Sequence, residues 1–255
     1  MARFKKLRFL AAAALSTVLV APVAAPAHAV VGGFNSNQSA TVRLWAYGYK
    51  APDLLCSGSH IGNGWVLTAK HCVDDIGVNT WSSRVVWGNP RINWNLPENQ
   101  YTGPNSGIDR IVTHPDENKD MALVHVPGLA KARVATYRLR DGGTAEDLKN
   151  ARCTAYGYGL WEDNIDAESS YAQRQRGLKM KIRYASTSIK NSNSAQLRGY
   201  NDRGGFLVTG DSGGSLVCNG VLSGVTVAYW PKSKSNSFMS ISAPERDWIY
   251  RTTGI

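Results

Sequence analysis

The sequence predicts an antiparallel all-β protein of sandwich or barrel type that ends in one short helix. Three observations carry this. The chain after residue 30 breaks into short apolar or alternating runs of strand length. Asn, Gly, Pro and Asp separate the runs, as in Gly62-Asn63-Gly64 and Asn89-Pro90. Near the end, Ser242, Pro244 and Glu245 stand where an N-cap, an early helical proline and the far half of a capping box belong.

Taken in order, residues 1–29 read as an export signal rather than as part of the fold. Arg3, Lys5, Lys6 and Arg8 form a positive n-region, Phe9 to about Val20 an apolar h-region, and Ala27-His28-Ala29 an A-x-A cleavage site. The apolar run is short for a membrane span. Cleavage after Ala29 would start the mature chain at Val30, and cleavage after Ala27 would leave two residues to trim. The first set of strands is expected at Thr41–Tyr49, Leu55–Ile61, Trp65–Ala69, Arg84–Trp87, Gly107–Val112 and Met121–Val126. Pro127 to about Gly143 reads as a connector. A second set follows at Cys153–Tyr158, Leu178–Tyr184, Gly205–Val208, Ser215–Val217, Gly224–Tyr229 and Phe238–Ser242. Trp248 and Ile249 give the closing helix its apolar face.

Composition narrows the class. The full chain of 255 residues carries a formal charge of +10. Removing 29 residues with four basic side chains leaves 226 residues at +6, enough for one large unit or two intimate small ones. That charge favours acidic surfaces or substrates. It forms no arginine-rich or aromatic-interleaved tract in the sequence, which argues against nucleic acid as a partner. Four cysteines suit an oxidising compartment and allow three pairings. No C-x-x-C pair or His/Asp/Glu cluster stands at metal-ligand spacing, so neither a metal nor a cofactor is expected.

The chemistry centres on Gly210-Asp211-Ser212-Gly213-Gly214. Glycine lets the backbone take positive φ and lets a ligand approach the main chain. A nucleophilic serine needs this where backbone N–H groups must receive an oxyanion. A tight turn between strands would use the same residues. The pattern also fits the G-x-S-x-G elbow of α/β-hydrolases, but that fold needs its histidine after the serine. His28, His60, His71, His114 and His125 all precede Ser212, and Ser215 to Gly220 reads as a strand and a turn where the elbow would lead into a helix.

Two upstream stretches complete a different constellation. Leu67-Thr68-Ala69-Lys70-His71-Cys72 follows an apolar run, and Asp120 stands at the mouth of Met121-Ala122-Leu123-Val124-His125-Val126. With Val30-Val31-Gly32-Gly33, His114-Pro115, Cys153 and Gly157-Tyr158-Gly159, and Gly210 to Cys218, the chain resembles the chymotrypsin/trypsin-like (S1) serine proteases, the bacterial secreted branch in particular. The matching pieces run in family order across nearly the whole chain after residue 29.

The resemblance implies one protease domain over 30–255: two packed six-stranded β-barrels, about 30–139 and 140–242, then a helix at about 243–253. It implies a catalytic triad in which His71 takes the Ser212 proton and Asp120 orients the imidazole, and an oxyanion hole made by the N–H groups of Gly210 and Ser212. It pairs Cys56 with Cys72 and Cys153 with Cys218, closing loops worth about 3 and about 4 kcal/mol. It folds a freed Val30 ammonium against Asp211. His60, His114 and His125 receive no role. The expected product is a secreted, extracellular monomer acting on protein or peptide substrates, with protein protease inhibitors as further partners and no membrane association once the signal is removed.

The chain also departs from the family. Phe206 stands at the pocket floor where trypsin-like members carry an aspartate, and a buried Lys or Arg would find no counter-charge there. Val227-Ala228-Tyr229 replaces the usual Ser-Trp-Gly wall, Val208 takes the place of a bracing cysteine, and Lys70 and Ser215 replace Ala and Pro. These changes imply a non-tryptic preference for apolar or small residues before the scissile bond. They also leave open an esterase using the same triad, or a protease-fold binding protein with weak or no turnover.

Overall fold

The computed structural model describes residues 30–46, 54–74, 83–88, 103–159, 174–188 and 196–255. The proposed signal, residues 1–29, lies outside the described residues. A two-residue strand, β1 (Phe34–Asn35), comes first. Next come β2 (Thr41–Ala46), β3 (Leu54–Gly62), β4 (Trp65–Thr68), β5 (Ser83–Val86), β6 (Asn105–Gly107), β7 (Arg110–Thr113) and β8 (Ala122–His125). They form one antiparallel curled sheet in the order β6-β5-β2-β3-β4-β8-β7.

A short helix, α1 (Pro127–Lys131), leads out of this sheet. The second sheet contains β9 (Arg152–Gly157), β10 (Arg176–Ala185), β11 (Leu197–Tyr200), β12 (Ser215–Cys218), β13 (Val221–Trp230) and β14 (Ser235–Ser240). These six strands close into a barrel because β10 pairs with both β11 and β9, and β1 is added to the outside of β10. The helix α2 (Ala243–Thr253) ends the chain. The protein is therefore mostly β, with two curled or closed antiparallel barrels and a short C-terminal helix.

Periodicity explains which face each strand buries. In β10, Leu178, Met180 and Ile182 point into the second core, while Lys179 and Arg183 on the opposite face are exposed. β8 has three successive buried residues because it is covered on both faces. One large core cluster joins Val66, Leu67 and Leu123 of the first sheet to Leu222, Val225 and Met239 of the second. At about 25 cal/mol per Å² of apolar surface, this shared burial resists separation of the barrels. A buried hydroxyl network crosses the same boundary. The Thr41 hydroxyl lies 2.6 Å from that of Tyr137 and 3.0 Å from that of Ser215, which also meets Ser59 at 2.7 Å. Ser215 thus replaces a proline with a hydrogen-bonding tie between barrels.

Five elements differ from the sequence expectation, the first being β11, where no strand is expected. The run expected at Gly107–Val112 divides between β6 and β7. Within the expected connector, Pro127 opens α1, since its fixed φ suits a helix start. Gly205–Val208 is not a strand. The N–H of Phe206 goes to Val31 O, that of Leu207 to Asn236 Oδ1 and that of Val208 to Asp211 Oδ2, so side chains take donors that a ladder would use. Finally, β1 docks on the second sheet although it precedes the first. The expected helix start is present: Ser242 and Glu245 form a capping box, and Gly254 closes α2 at φ 73°.

Candidate active site

The first barrel supplies an imidazole and a carboxylate. β4 ends at Thr68, and a 3-10 turn at Lys70–Cys72 carries His71. The Cys56–Cys72 disulfide fastens this turn to β3. Asp120 stands two residues before β8. Its Oδ1 accepts the His71 backbone N–H at 2.9 Å, and its Oδ2 faces His71 Nδ1 at 2.6 Å. With Nδ1–H donating to the carboxylate, the neutral ring keeps its lone pair on Nε2. Burial pulls the His71 pKa down, but the hydrogen bond and charge of Asp120, helped by Asp74, outweigh it and leave the imidazole raised above its ordinary value.

The loop carrying Asp120 has its own anchor. Lys119 Nζ lies 2.5 Å from Oε1 of Glu245, whose side chain is completely buried. The other Glu245 oxygen accepts from Ser242 in the capping box. Burial raises the Glu245 pKa, yet the bonds from Lys119 and Ser242 leave it below the ordinary carboxylate value. The C-terminal helix therefore holds the residue adjacent to Asp120.

The second barrel supplies Ser212. Ser57 N–H donates to Ser212 O at 2.7 Å, and Gly213 N–H donates to Thr226 O at 2.8 Å. A side chain on Gly213 would overlap Thr68 Oγ1 and Ser57 O and come within 3.1 Å of Ala69 N. The Ser212–Gly213 backbone thus lies against the residues just before His71. The Ser57 hydroxyl donates to Gly210 O at 2.9 Å, and Gly210 adopts φ 91°. Among the described residues, the N–H groups of Gly210 and Ser212 have no acceptor.

Asp211 is fully buried beneath this loop. Its Oδ1 accepts from Gly159 N–H at 2.8 Å and its Oδ2 from Val208 N–H at 3.0 Å. A side chain on Gly157 or Gly159 would run into the Asp211 carboxylate, which explains the Gly157-Tyr158-Gly159 motif. Burial raises the Asp211 pKa to about 7 against the pull of these N–H groups and of the charge on Arg43. Arg43 is itself almost fully buried, with its guanidinium 4.7 Å from the centre of the Tyr158 ring, and burial lowers its pKa to about 10. Val30, the proposed new N-terminus, is buried in the second core.

The specificity residues divide. Phe206 and Tyr229 stack face to face, with centroids 4.4 Å apart and rings 6° from parallel, and Val208 and Val31 join them. Val227 packs on the first core cluster, and Ala228 pairs with Ser237 in the β13–β14 ladder. Asp202 lies outside this group, exposed and 3.2 Å from Arg183. The other histidines have ordinary partners. His60 Nδ1 meets Ala135 O, His125 Nδ1 meets Asp109, and the His114 ring stands edge-on to Trp248. The disulfides pair Cys56 with Cys72 and Cys153 with Cys218. Cys56 and Cys72 lie close to His71, but both sulfurs are committed to their bond.

Comparison with known proteins assigns the chain to a family. The family profile described as Trypsin matches residues 30–249. The chain belongs to the trypsin family. Trypsin of Sus scrofa is 30% identical over 184 residues, covering 67% of this chain and 72% of the relative. A protein of Corynebacterium glutamicum (strain R) described as an uncharacterized peptidase is 28% identical over 223 residues, covering 87% of this chain and 70% of the relative. Prostatic glandular kallikrein-6 of Rattus norvegicus is 26% identical over 210 residues, covering 77% and 78%. The protein is a trypsin-like serine peptidase, a hydrolase whose substrates are proteins or peptides.

Arg43, Lys119, Glu245 as an ion-pair partner, and the hydroxyl tie through Ser215 were not found by sequence reasoning. Arg43 gives one signal, a charge between Val42 and Leu44 in an apolar strand.

Proposed function

We propose that the protein is a secreted endopeptidase in which Ser212 is the nucleophile, His71 the general base and acid, and Asp120 the residue that orients His71. The observation that carries this reading is the doubly bonded His71–Asp120 pair, with the Ser212 loop tied to Ser57 and seated on Thr68 and Ala69. His71 Nε2 takes the Ser212 proton as its oxygen attacks the scissile carbonyl. The N–H groups of Gly210 and Ser212 receive the oxyanion, and losing such a donor costs about a hundred- to a thousandfold in rate. His71 then protonates the leaving amine, and water hydrolyses the acyl-enzyme by the same route. The two disulfides suit export, and the signal at 1–29 would deliver a mature chain starting at Val30.

Specificity is non-tryptic in this reading. The Phe206–Tyr229 stack fills space where a basic side chain would need a carboxylate, and Asp202 is engaged at the surface. Apolar or small residues are the expected occupants. The same stack favours a second reading, a protein of this fold with weak peptide turnover that acts on esters or only binds. Steady-state hydrolysis of matched peptides and an activated ester by native protein and Ser212→Ala separates them. Peptidase action predicts apolar over arginyl cleavage, lost in the variant. Ester hydrolysis alone supports the second reading, and near-native hydrolysis by Ser212→Ala overturns the triad.

A further inference from the structure

Two buried polar atoms near the Ser212 loop have no hydrogen-bond partner among the described residues: the Thr226 hydroxyl and Nδ2 of Asn236. Asn236 has no exposed surface and Thr226 keeps only 3% of its own. A buried donor left unpaired costs free energy, so each such group calls for a partner. Strand register puts both on one face. A register shift at Val227 sets Thr226 opposite Phe238 and Tyr229 opposite Asn236 in the β13–β14 ladder. Residues directly opposed in an antiparallel pair project to the same side, and so do Phe238 and Asn236, two positions apart on β14. Thr226 and Asn236 are therefore diagonal neighbours, about 7–8 Å apart.

This face runs from the Ser212 loop to the Phe206–Tyr229 stack. At one end the Thr226 backbone oxygen accepts the Gly213 N–H at 2.8 Å, and the Thr226 N–H donates to Gly214 O at 2.9 Å. At the other end Asn236 stands opposite Tyr229, whose ring lies on Phe206. One bond fixes which way the Asn236 amide points. Its Oδ1 accepts the Leu207 N–H at 2.7 Å, which leaves the two Nδ2 hydrogens to be placed. The side chains grouped with the stack, Val31 and Val208, are apolar, as is Phe238 beside Thr226. Asp211 accepts the Val208 N–H, but Gly157 and Gly159 enclose its carboxylate. A charged occupant of this face would be buried without a partner.

We propose that Asn236 and Thr226 are specificity-determining residues that read the side chain before the scissile bond and select a small, neutral one with a hydrogen-bond acceptor, asparagine above all. This rests on the proposed triad and pocket assignment, and it narrows the small or apolar class to one chemistry. A carboxamide brings an oxygen that accepts from Asn236 Nδ2–H and an N–H that donates to Thr226 Oγ1. Leucine, of similar shape, brings neither and leaves both protein groups unpaired. Phe206, Val208 and Tyr229 supply apolar walls, and the two polar groups supply the discrimination, the usual division of labour in a ligand pocket. A site with buried hydrogen-bonding groups rejects the analogue that lacks them more sharply than an apolar pocket rejects a change of size.

The test uses protein starting at Val30 and fluorogenic peptides identical except at the residue before the scissile bond, in the matched pairs Asn/Leu and Thr/Val. The Asn peptide should show about tenfold higher kcat/KM than the Leu peptide, and Thr should exceed Val by a smaller factor. Thr226→Val keeps the shape and removes the hydroxyl. Asn236→Asp keeps the oxygen that holds the Leu207 N–H and removes the donor. Each substitution should bring the Asn/Leu ratio towards one. Thr226→Val should also melt no lower than the native protein, because it removes a polar atom that the free protein does not pair. A clear fall in melting temperature would mean that the hydroxyl is satisfied inside the fold, and would overturn its role. Equal rates within both pairs, or a ratio that either substitution leaves unchanged, would overturn the proposal. Faster cleavage of an Asp peptide than of the Asn peptide would assign the pocket to a charge and overturn it too. If no peptide is cleaved, the peptidase reading fails on its own, and anisotropy of the labelled peptides on the Ser212→Ala protein decides the pocket. Tighter binding of the Asn peptide than of the Leu peptide, lost when Thr226→Val is added, supports it; equal or absent binding overturns it.

Discussion

Asp120 and Asp211 are the same residue type serving one site from two barrels, in opposite environments. The Asp120 side chain keeps 19% of its surface exposed and directs both oxygens to His71. Asp211 has no exposed surface, gives its oxygens to two backbone N–H groups, and is pushed up to about 7 by burial. A carboxylate bonded to both His71 nitrogen donors can stabilise an imidazolium. A buried one depends on a nearby cation. In the continuous chain the charge of Arg43 acts on Asp211, and in the proposed mature chain the Val30 ammonium is expected to add to it. In the proposed triad one aspartate serves the chemistry, and the other the shape of the loop that carries Ser212.

The largest expected break in this comparison is Asp120→Asn. The loss of charge and of the correct tautomer should lower kcat by about 10⁴ while unfolding is barely changed. Asp211→Asn should do the reverse in emphasis. It replaces the buried carboxylate that accepts the Gly159 and Val208 N–H groups, and each such charge-assisted bond is worth about 1.5–3 kcal/mol, read by urea unfolding. A smaller effect is expected from fixing one Ala before Val30. Asp211 then keeps its raised value, so the stability it contributes is complete below its ordinary 3.8 and lost as pH rises toward about 7. Melting temperature against pH should fall over that window in the extended chain and stay flatter in the chain starting at Val30. Equal curves would remove the ammonium from the account.

The smallest effect is assigned to Glu245→Gln. Glu245 has a lowered folded value, so its contribution is present above the ordinary carboxylate value and lost as pH falls through the folded one. The variant should lose about 1–3 kcal/mol at neutral pH, with a moderate fall in kcat as the Lys119 anchor beside Asp120 loosens. Unchanged acid unfolding would remove Glu245 from the positioning of Asp120.

The sequence made the barrels legible because their strands alternate or run apolar between strong turn residues. It made the proposed site legible because His71, Asp120 and Ser212 sit in local motifs. What it hid depends on partners far along the chain. Arg43 is a stray charge in β2 until Asp211 is placed near it. Glu245 is half of a capping box until Lys119 reaches its other oxygen. Gly157 and Gly159 mark a motif, but only the buried Asp211 carboxylate explains why neither tolerates a side chain. Leu197–Tyr200 is too short and polar to signal a strand, and Gly205–Val208 is apolar enough to mimic one while side chains take its backbone donors.

The central claim, that the two barrels together activate Ser212, is tested most directly by the pH dependence of its covalent labelling with a fluorophosphonate, mapped by peptide mass. Labelling should fall on Ser212 alone and drop as pH falls through a value above that of an ordinary histidine, because His71 must be neutral to act and Asp120 holds its proton more tightly. Label on another residue, or a rate on Ser212 that does not change across the histidine range, would contradict the account.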